Sequence, residues 1–407
     1  MWGCLVGLLF VTGCSRSSAN SSRTTFQPVR VSAANVDAAE PVTVSGPDGS
    51  FYVAWVDHNA NNQADVMLAR FDSDGAAVGS PVRVNQDAGV ATAWRGDPPS
   101  VVITDRAVYV LWTARVEAQG KSGTDLYFSA SHDQGKSFEA AVKVNDDKVP
   151  GAHGMHSLAV ARDGRIYVAW LDERNVQAPK PSPQAGGHHM ESNRELFISD
   201  SSDDGKTFSA NRRVAENVCP CCKTALAVSP DGTLYASWRD VLPGDFRHIA
   251  VASSSDNATH FSAPVIVSDD RWVLHGCPVS GPSLSVVSNG TLRVVWFAAG
   301  EAGAPGLYYA ETHDKGRTFS ARTLLTQETV KGTPALATVN DRAVAIWQGL
   351  GAQQPETKVR ELGGAGAAVS VAANAELPSG TFSRDKLFVA YITTVGEKRS
   401  VWLAKVG

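Results

Sequence analysis

No run of lysine and arginine occurs anywhere in the 407 residues, and the formal charge is only −4. The chain lacks the electrostatic footprint needed to neutralise a phosphate backbone, which excludes nucleic acid as a partner class. The apolar run at the start, MWGCLVGLLFVTG, is too short to cross a bilayer as a helix. Cysteine is scarce, six in all, and no paired CxxC units stand at zinc-finger spacing. Hydrophobic residues still make up 43% of the chain, enough for a sizeable core. The length allows two or three ordinary domains or one large β architecture.

The apolar run ends at Gly13 and a Ser-rich stretch, SRSSANSSRTT, follows. Val11-Thr12-Gly13-Cys14 resembles a bacterial lipobox, in which the cysteine becomes the lipidated first residue; the missing Lys or Arg ahead of the run departs from that pattern. The resemblance implies a lipoprotein-type signal peptide over 1–13, acylation of Cys14 and a flexible tether over 14–25. It also implies a periplasmic or cell-surface protein anchored to the membrane by its lipid. A plain secretory signal is the alternative. Export would leave Cys219, Cys221, Cys222 and Cys277 in an oxidising compartment.

Internal repetition sets the fold. LAVARDGRIYVAWLD (158–172) recurs as LAVSPDGTLYASWRD from Leu226, VTVSGPDGSFYVAWVD from Val42, VVITDRAVYVLWT from Val101 and LSVVSNGTLRVVWF from Leu284. Weaker copies begin at Leu336 and Gly380. Each reads as two strands joined by a tight turn, with Asp-Gly or Asn-Gly supplying positive φ angles. The second strand of each ends in a large aromatic, Trp55, Trp112, Trp170, Trp238, Trp296, Trp347, then Tyr391, and the loops expected to lead to the third strand include WRDVLPGDFRH (238–248). Most spacings fall near 50 to 60 residues, which fits one four-stranded unit.

A second signature lies between the other two strands of a unit. Ser131-His-Asp133-Gln-Gly135-Lys-Ser-Phe138 matches Ser201-Ser-Asp203-Asp-Gly205-Lys-Thr-Phe208 and Thr312-His-Asp314-Lys-Gly316-Arg-Thr-Phe319, with a decayed copy at 254–261. Ser/Thr and Asp side chains bond backbone N–H groups inside such a turn, and Gly takes the left-handed residue. These are Asp-boxes, and the chain over 26–407 resembles the sialidase superfamily of BNR-repeat β-propellers. The resemblance implies one all-β propeller domain of four-stranded antiparallel blades. The repeats count to seven, with six as the alternative. PVRVS at 28–32 matches PVRVN at 81–85, so the N-terminus is expected to supply the outer strand of the last blade and close the ring.

Strand order puts the Asp-boxes and the Asp-Gly turns on one face. The other face, which carries the active site in this superfamily, collects the unusual residues: His153, Met155, His156, His188, His189, Met190, the four remaining cysteines and His275. Four cysteines allow three complete disulfide pairings, and Cys277 can pair with Cys221 or Cys222. The same thiols, imidazoles and thioethers also suit copper, or zinc without the methionines. A redox CxxC at Cys219–Cys222 is a third reading, without the helix N-terminus that lowers a thiol pKa.

Sialidase chemistry needs arginines for the substrate carboxylate, a Tyr nucleophile and an acidic acid/base. Arg95, Arg174, Arg239 and Arg247 are the candidate arginines, and Asp172 and Asp240 stand beside two of them in WLDER and WRD. Arg174, Arg239, Asp172 and Asp240 are therefore the expected catalytic pocket. Against this, the superfamily's aromatic-Arg-Ile-Pro motif is absent and the tyrosines occupy strand positions. Two functions follow. One is glycan recognition, extending to exo-sialidase-like hydrolysis, by a monomer. The other is a non-enzymatic envelope propeller whose Cys/His/Met face binds a soft metal or a partner protein.

Overall fold

The computed structural model describes residues 27–59, 63–92, 96–118, 120–176, 192–351 and 353–406. The expected signal peptide, tether and Cys14 lie outside these residues. All regular structure in the described residues is β.

The first unit shows the plan. Strands Asp37–Ser45, Phe51–His58, Ala64–Phe71 and Val82–Arg83 pair antiparallel in chain order. The order recurs along the chain, as in Ser283–Val286, Leu292–Ala298, Gly306–Thr312 and Thr323–Thr326. In the last unit Glu376–Ser383, Lys386–Val395 and Lys398–Val406 pair in turn, and Val29–Arg30 from the other end of the chain adds the outer strand. The first strands of the units are Asp37–Ser45, Ser100–Ile103, His153–Val160, Ala225–Val228, Ser283–Val286, Lys331–Val339 and Glu376–Ser383. They neighbour one another in that order, and the last returns to the first.

Second strands are sandwiched on both faces, so they read as nearly continuous apolar runs rather than alternating ones. Every residue of Ile166–Asp172 is buried. Trp55, Trp170, Trp238, Trp296 and Trp347 are among the largest fully buried side chains. A buried indole N–H needs an acceptor. Trp55, Trp170 and Trp238 each donate to the carboxylate two residues on, Asp57 (2.7 Å), Asp172 (2.8 Å) and Asp240 (3.1 Å). Trp296 and Trp347 find Asp270 and Glu328 on other segments, at 2.8 Å each.

The Asp-box turns close as their residue types dictate. The Ser131 hydroxyl donates to Asp133 (2.8 Å) and accepts from the Gly135 amide (2.9 Å). Asp133 accepts the Lys136 and Ser137 amides at 2.9 Å each. The same bonds recur around Asp203 and Asp314. In the decayed copy Ala258 takes the glycine position at φ 63°. At Gly205 glycine is required twice over: φ is 82°, and a Cβ would lie 2.0 Å from the Phe128 ring. The tyrosines of the second strands reach these turns in the next unit, Tyr52 to the Gln134 carbonyl (3.3 Å) and Tyr167 to Asn257 (3.2 Å).

One expected loop is instead a hairpin. Leu234–Leu242 and Phe246–Ser254 pair along their whole length to Leu242↔Phe246, turning through Gly244 and Asp245 at positive φ. Arg239 and Asp240 thus sit inside a ladder and not on a loop.

Candidate functional site

A cavity of about 680 Å³ opens on the face opposite the Asp-boxes. Its lining includes Asp37 and His58 from the first unit, Arg115 from the second, His153 to Met155 from the third and Arg399 from the last, with Asp97 and Arg194. Arg194 and Arg399 are equivalent in the repeat. Trp170 pairs with Phe197 and Tyr391 with Trp402, and each arginine lies three residues before that partner. Arg115 follows its own repeat aromatic, Trp112, by three residues. The register therefore aims guanidiniums from several units at one space.

They differ in how they are held. Arg399 grips Asp37 through Nε (3.0 Å) and Nη2 (2.6 Å). Arg194 lies 3.7 Å from Glu173. The Arg115 side chain is exposed and makes no hydrogen bond or ion pair with another described residue. Asp97 is buried, accepts the Met155 amide (2.8 Å) and pairs with Lys223 (2.9 Å). Burial would raise its pKa, but His156 and Lys223 hold it below the ordinary range. It is a fixed anion whose charge is already answered by Lys223.

Behind the cavity wall lies a buried ionic knot. His153 Nε2 lies 3.3 Å from both Asp147 and Asp172, and its Nδ1 meets the Thr124 carbonyl. Arg174 bonds Asp172 through Nε (2.9 Å), Asp146 (2.6 Å) and Asn211 (2.9 Å), and lies over the Phe197 ring at 4.5 Å. Burial opposes charge on His153, but Asp147 and Asp172 outweigh it and raise the pKa to about 9. His156 is different. Its Nδ1 bonds the Ser100 hydroxyl (2.9 Å), and burial, more than the pull of Asp97, lowers its pKa to about 4.

These opposite shifts predict a stability optimum. An unfolded histidine titrates near 6.5. The His153 contribution is complete below that pH and is lost as pH rises through about 9. The buried neutral His156 adds a penalty as pH falls from about 6.5 toward about 4. Melting temperature is expected to peak near pH 6.5, and His153→Gln should flatten the alkaline limb. An alkaline limb unchanged in that variant would refute the assignment.

The cysteines divide. Cys221 and Cys277 form a disulfide with Cα atoms 6.2 Å apart. Cys219 and Cys222 are buried free thiols with Sγ atoms 3.4 Å apart. The Cys222 hydrogen bond, against burial and with help from Arg239 and Arg247, lowers the Cys219 pKa to about 6. Burial pushes Cys222 up. The thiol is thus tuned first by its neighbour thiol and then by arginines, in a chain segment with no helix.

The residues expected to form one pocket do not converge. Arg174 lines a second cavity of about 1030 Å³ beside Lys121, Lys148 and Glu173, whereas Asp172, Arg239 and Asp240 line neither cavity. Asp172 and Asp240 are acceptors for the buried indoles, and Arg239 is fully buried, bonding the Ser280 and Phe297 carbonyls at 2.9 Å. The imidazoles and the thiols stand in separate groups: His153 lies close to Asp125 and Asp147, apart from the cysteines. No histidine nitrogen joins the close group of Cys219, Cys221 and Cys222 in the described residues. His153 and His156 have their own partners, and His275 is exposed, 2.9 Å from Asp245. Met155 packs in the same apolar cluster as the three cysteines. Arg95, His188, His189 and Met190 lie outside the described residues. Sequence reasoning missed Arg115, Arg194 and Arg399; aligning third strands on the partner of the repeat aromatic would have found the last two.

No protein-family model and no curated protein sequence matches the chain. Solved structures do. An ulvan lyase, a polysaccharide lyase, is 11% identical with a TM-score of 0.59, covering 93% of this chain and 96% of its own. A Hadza microbial sialidase is 16% identical with a TM-score of 0.51, covering 88% and 77%. A protein of unknown function from Dyadobacter fermentans is 13% identical with a TM-score of 0.50, covering 94% and 98%. At these identities the likeness is one of fold, and the fold is sialidase-like.

Proposed function

We propose that this chain is a seven-bladed propeller that recognises carboxylate-bearing glycans in the cavity lined by Arg115, Arg194 and Arg399. The observation that carries the reading is the convergence of these guanidiniums, one of them unpaired among the described residues, on one open space. Guanidinium forks match carboxylate geometry, and charge-assisted bonds gain strength where water is partly excluded. The polysaccharide lyase and the sialidase of like fold, named for action on glycans, support this substrate class. The reading is recognition rather than hydrolysis, because no tyrosine lines the cavity in the described residues. Export, and anchoring through a lipid on Cys14, are part of the same proposal, which the lipobox-like stretch Val11–Cys14 supports.

Calorimetric titration with sialyllactose, a glucuronate-containing disaccharide and neutral lactose tests it. An acidic sugar should bind and lactose should not. Arg115→Ala should weaken binding about tenfold, the value of one charge-assisted bond of about 1.5 kcal/mol. Equal binding of lactose, or no effect of Arg115→Ala, would sink the proposal.

A further inference from the structure

The arginine-lined cavity has a larger neighbour on the same face. The cavity of about 1030 Å³ is walled by the tip of the hairpin formed by Val108–Ala118 and Lys121–Ser131, by the connection 147–151 into the third unit, and by residues that follow that unit's second strand. Arg194 lines both cavities. The chain from 150 to 154 also passes from one to the other, Pro150 and Gly151 lining the larger and Ala152 to Gly154 the smaller. This divide is held by backbone. The Thr124 amide donates to the Gly151 carbonyl (2.9 Å), the His153 amide donates to the Thr124 hydroxyl (2.9 Å), and that hydroxyl donates to the His153 carbonyl (2.6 Å). At Gly123 a Cβ would lie 2.3 Å from the Gly151 oxygen, so only glycine permits the approach. The spacing of the two cavities is therefore fixed by the fold.

Their charges are presented differently. Four cationic side chains, Lys121, Lys148, Arg174 and Arg194, line the larger cavity against two carboxylates, Asp147 and Glu173. Each carboxylate has a cation of its own, His153 at 3.3 Å from Asp147 and Arg194 at 3.7 Å from Glu173. Arg174 is held by Asp172 and Asp146. Lys121 and Lys148 are exposed and have no hydrogen-bond or ion-pair partner among the described residues. The smaller cavity thus offers guanidinium forks, which fit a carboxylate in two directions, and the larger one offers compact ammonium charges, which attract an anion with little regard to its orientation.

We infer that the two cavities form one extended site for a linear glycan bearing carboxylates on at least two of its sugars, one acid seated among Arg115, Arg194 and Arg399 and a second drawn to Lys121 and Lys148. The inference rests on the glycan reading and narrows its substrate class from a single acidic sugar to a polyanionic chain. Arg194, on the border, serves both ends. A ligand that reaches both cavities makes its second contact within the same complex, so its affinity rises without any change in the first. A ligand with one acid fills only the first.

Calorimetric titration of the full chain with the hyaluronan disaccharide, which carries one glucuronate, and the hyaluronan tetrasaccharide, which carries two, tests it. The tetrasaccharide should bind at least tenfold more tightly. Lys121→Gln combined with Lys148→Gln should return the tetrasaccharide to the affinity of the disaccharide and leave the disaccharide unchanged; both lysines are exposed, so the variant keeps the fold. A sialylated pentasaccharide that carries a single acid should bind no more tightly than sialyllactose. Three results overturn the inference while the glycan reading stands: disaccharide and tetrasaccharide of equal affinity, a tetrasaccharide gain that survives loss of both lysines, or an equal gain from lengthening the chain without a second acid. Failure of every acidic ligand to bind overturns both.

Discussion

Asp172→Ala is expected to cost about 3–5 kcal/mol of stability, the range for removing one member of a buried ion pair. Three groups depend on this wholly buried carboxylate. It accepts the Trp170 indole N–H (2.8 Å), it faces His153 (3.3 Å), and it holds Arg174 (2.9 Å). With alanine in its place the indole loses its acceptor, and His153 keeps only Asp147 as an acid partner. Asp172→Asn should cost less, because an amide oxygen still accepts from the indole. Denaturant unfolding of the three proteins measures this. A loss below about 1 kcal/mol in the alanine variant would show that the knot is a rim feature, of the kind surface ion pairs make. Binding of an acidic glycan should survive in any folded fraction, since Asp172 does not line the cavity.

Breaking the Cys221–Cys277 bond should cost about 4 kcal/mol, from the loop-closure entropy of a cross-link at a sequence separation of 56. The bond ties the start of one four-stranded unit to the start of the next, on the face away from the Asp-boxes. Cys221→Ser and Cys277→Ser should therefore lose similar amounts, and the double variant should lose no more than either. Additivity of the two losses would mean that the residues act separately and are not joined.

Much of the fold is legible in the sequence because its signals are local. Asp-Gly turns, Ser/Thr-x-Asp-x-Gly boxes and a periodic Trp each fix their own few residues, and repetition places them relative to one another. The tyrosines of the second strands also read correctly as structural; Tyr52 and Tyr167 reach the neighbouring turns. The site was less legible for two physical reasons. Trp-x-Asp looks like a polar rim when read as sequence, but a buried indole demands an acceptor, and Asp172 and Asp240 answer that demand. Arg239 reads as a loop arginine only if the strand stops at Trp238, and it continues to Leu242. Conversely, Arg194 and Arg399 sit far apart in sequence and in unremarked positions, and only the ring order brings them together.

The most direct test of the arginine-lined cavity as the functional centre is a crystal structure of the protein soaked with a glucuronate-containing disaccharide. The sugar carboxylate is predicted within hydrogen-bonding distance of Arg115, with Arg399 or Arg194 as its second partner. A carboxylate bound instead beside Lys121, Lys148 and Arg174 in the larger neighbouring cavity, or no bound sugar at concentrations that saturate binding in solution, would contradict it.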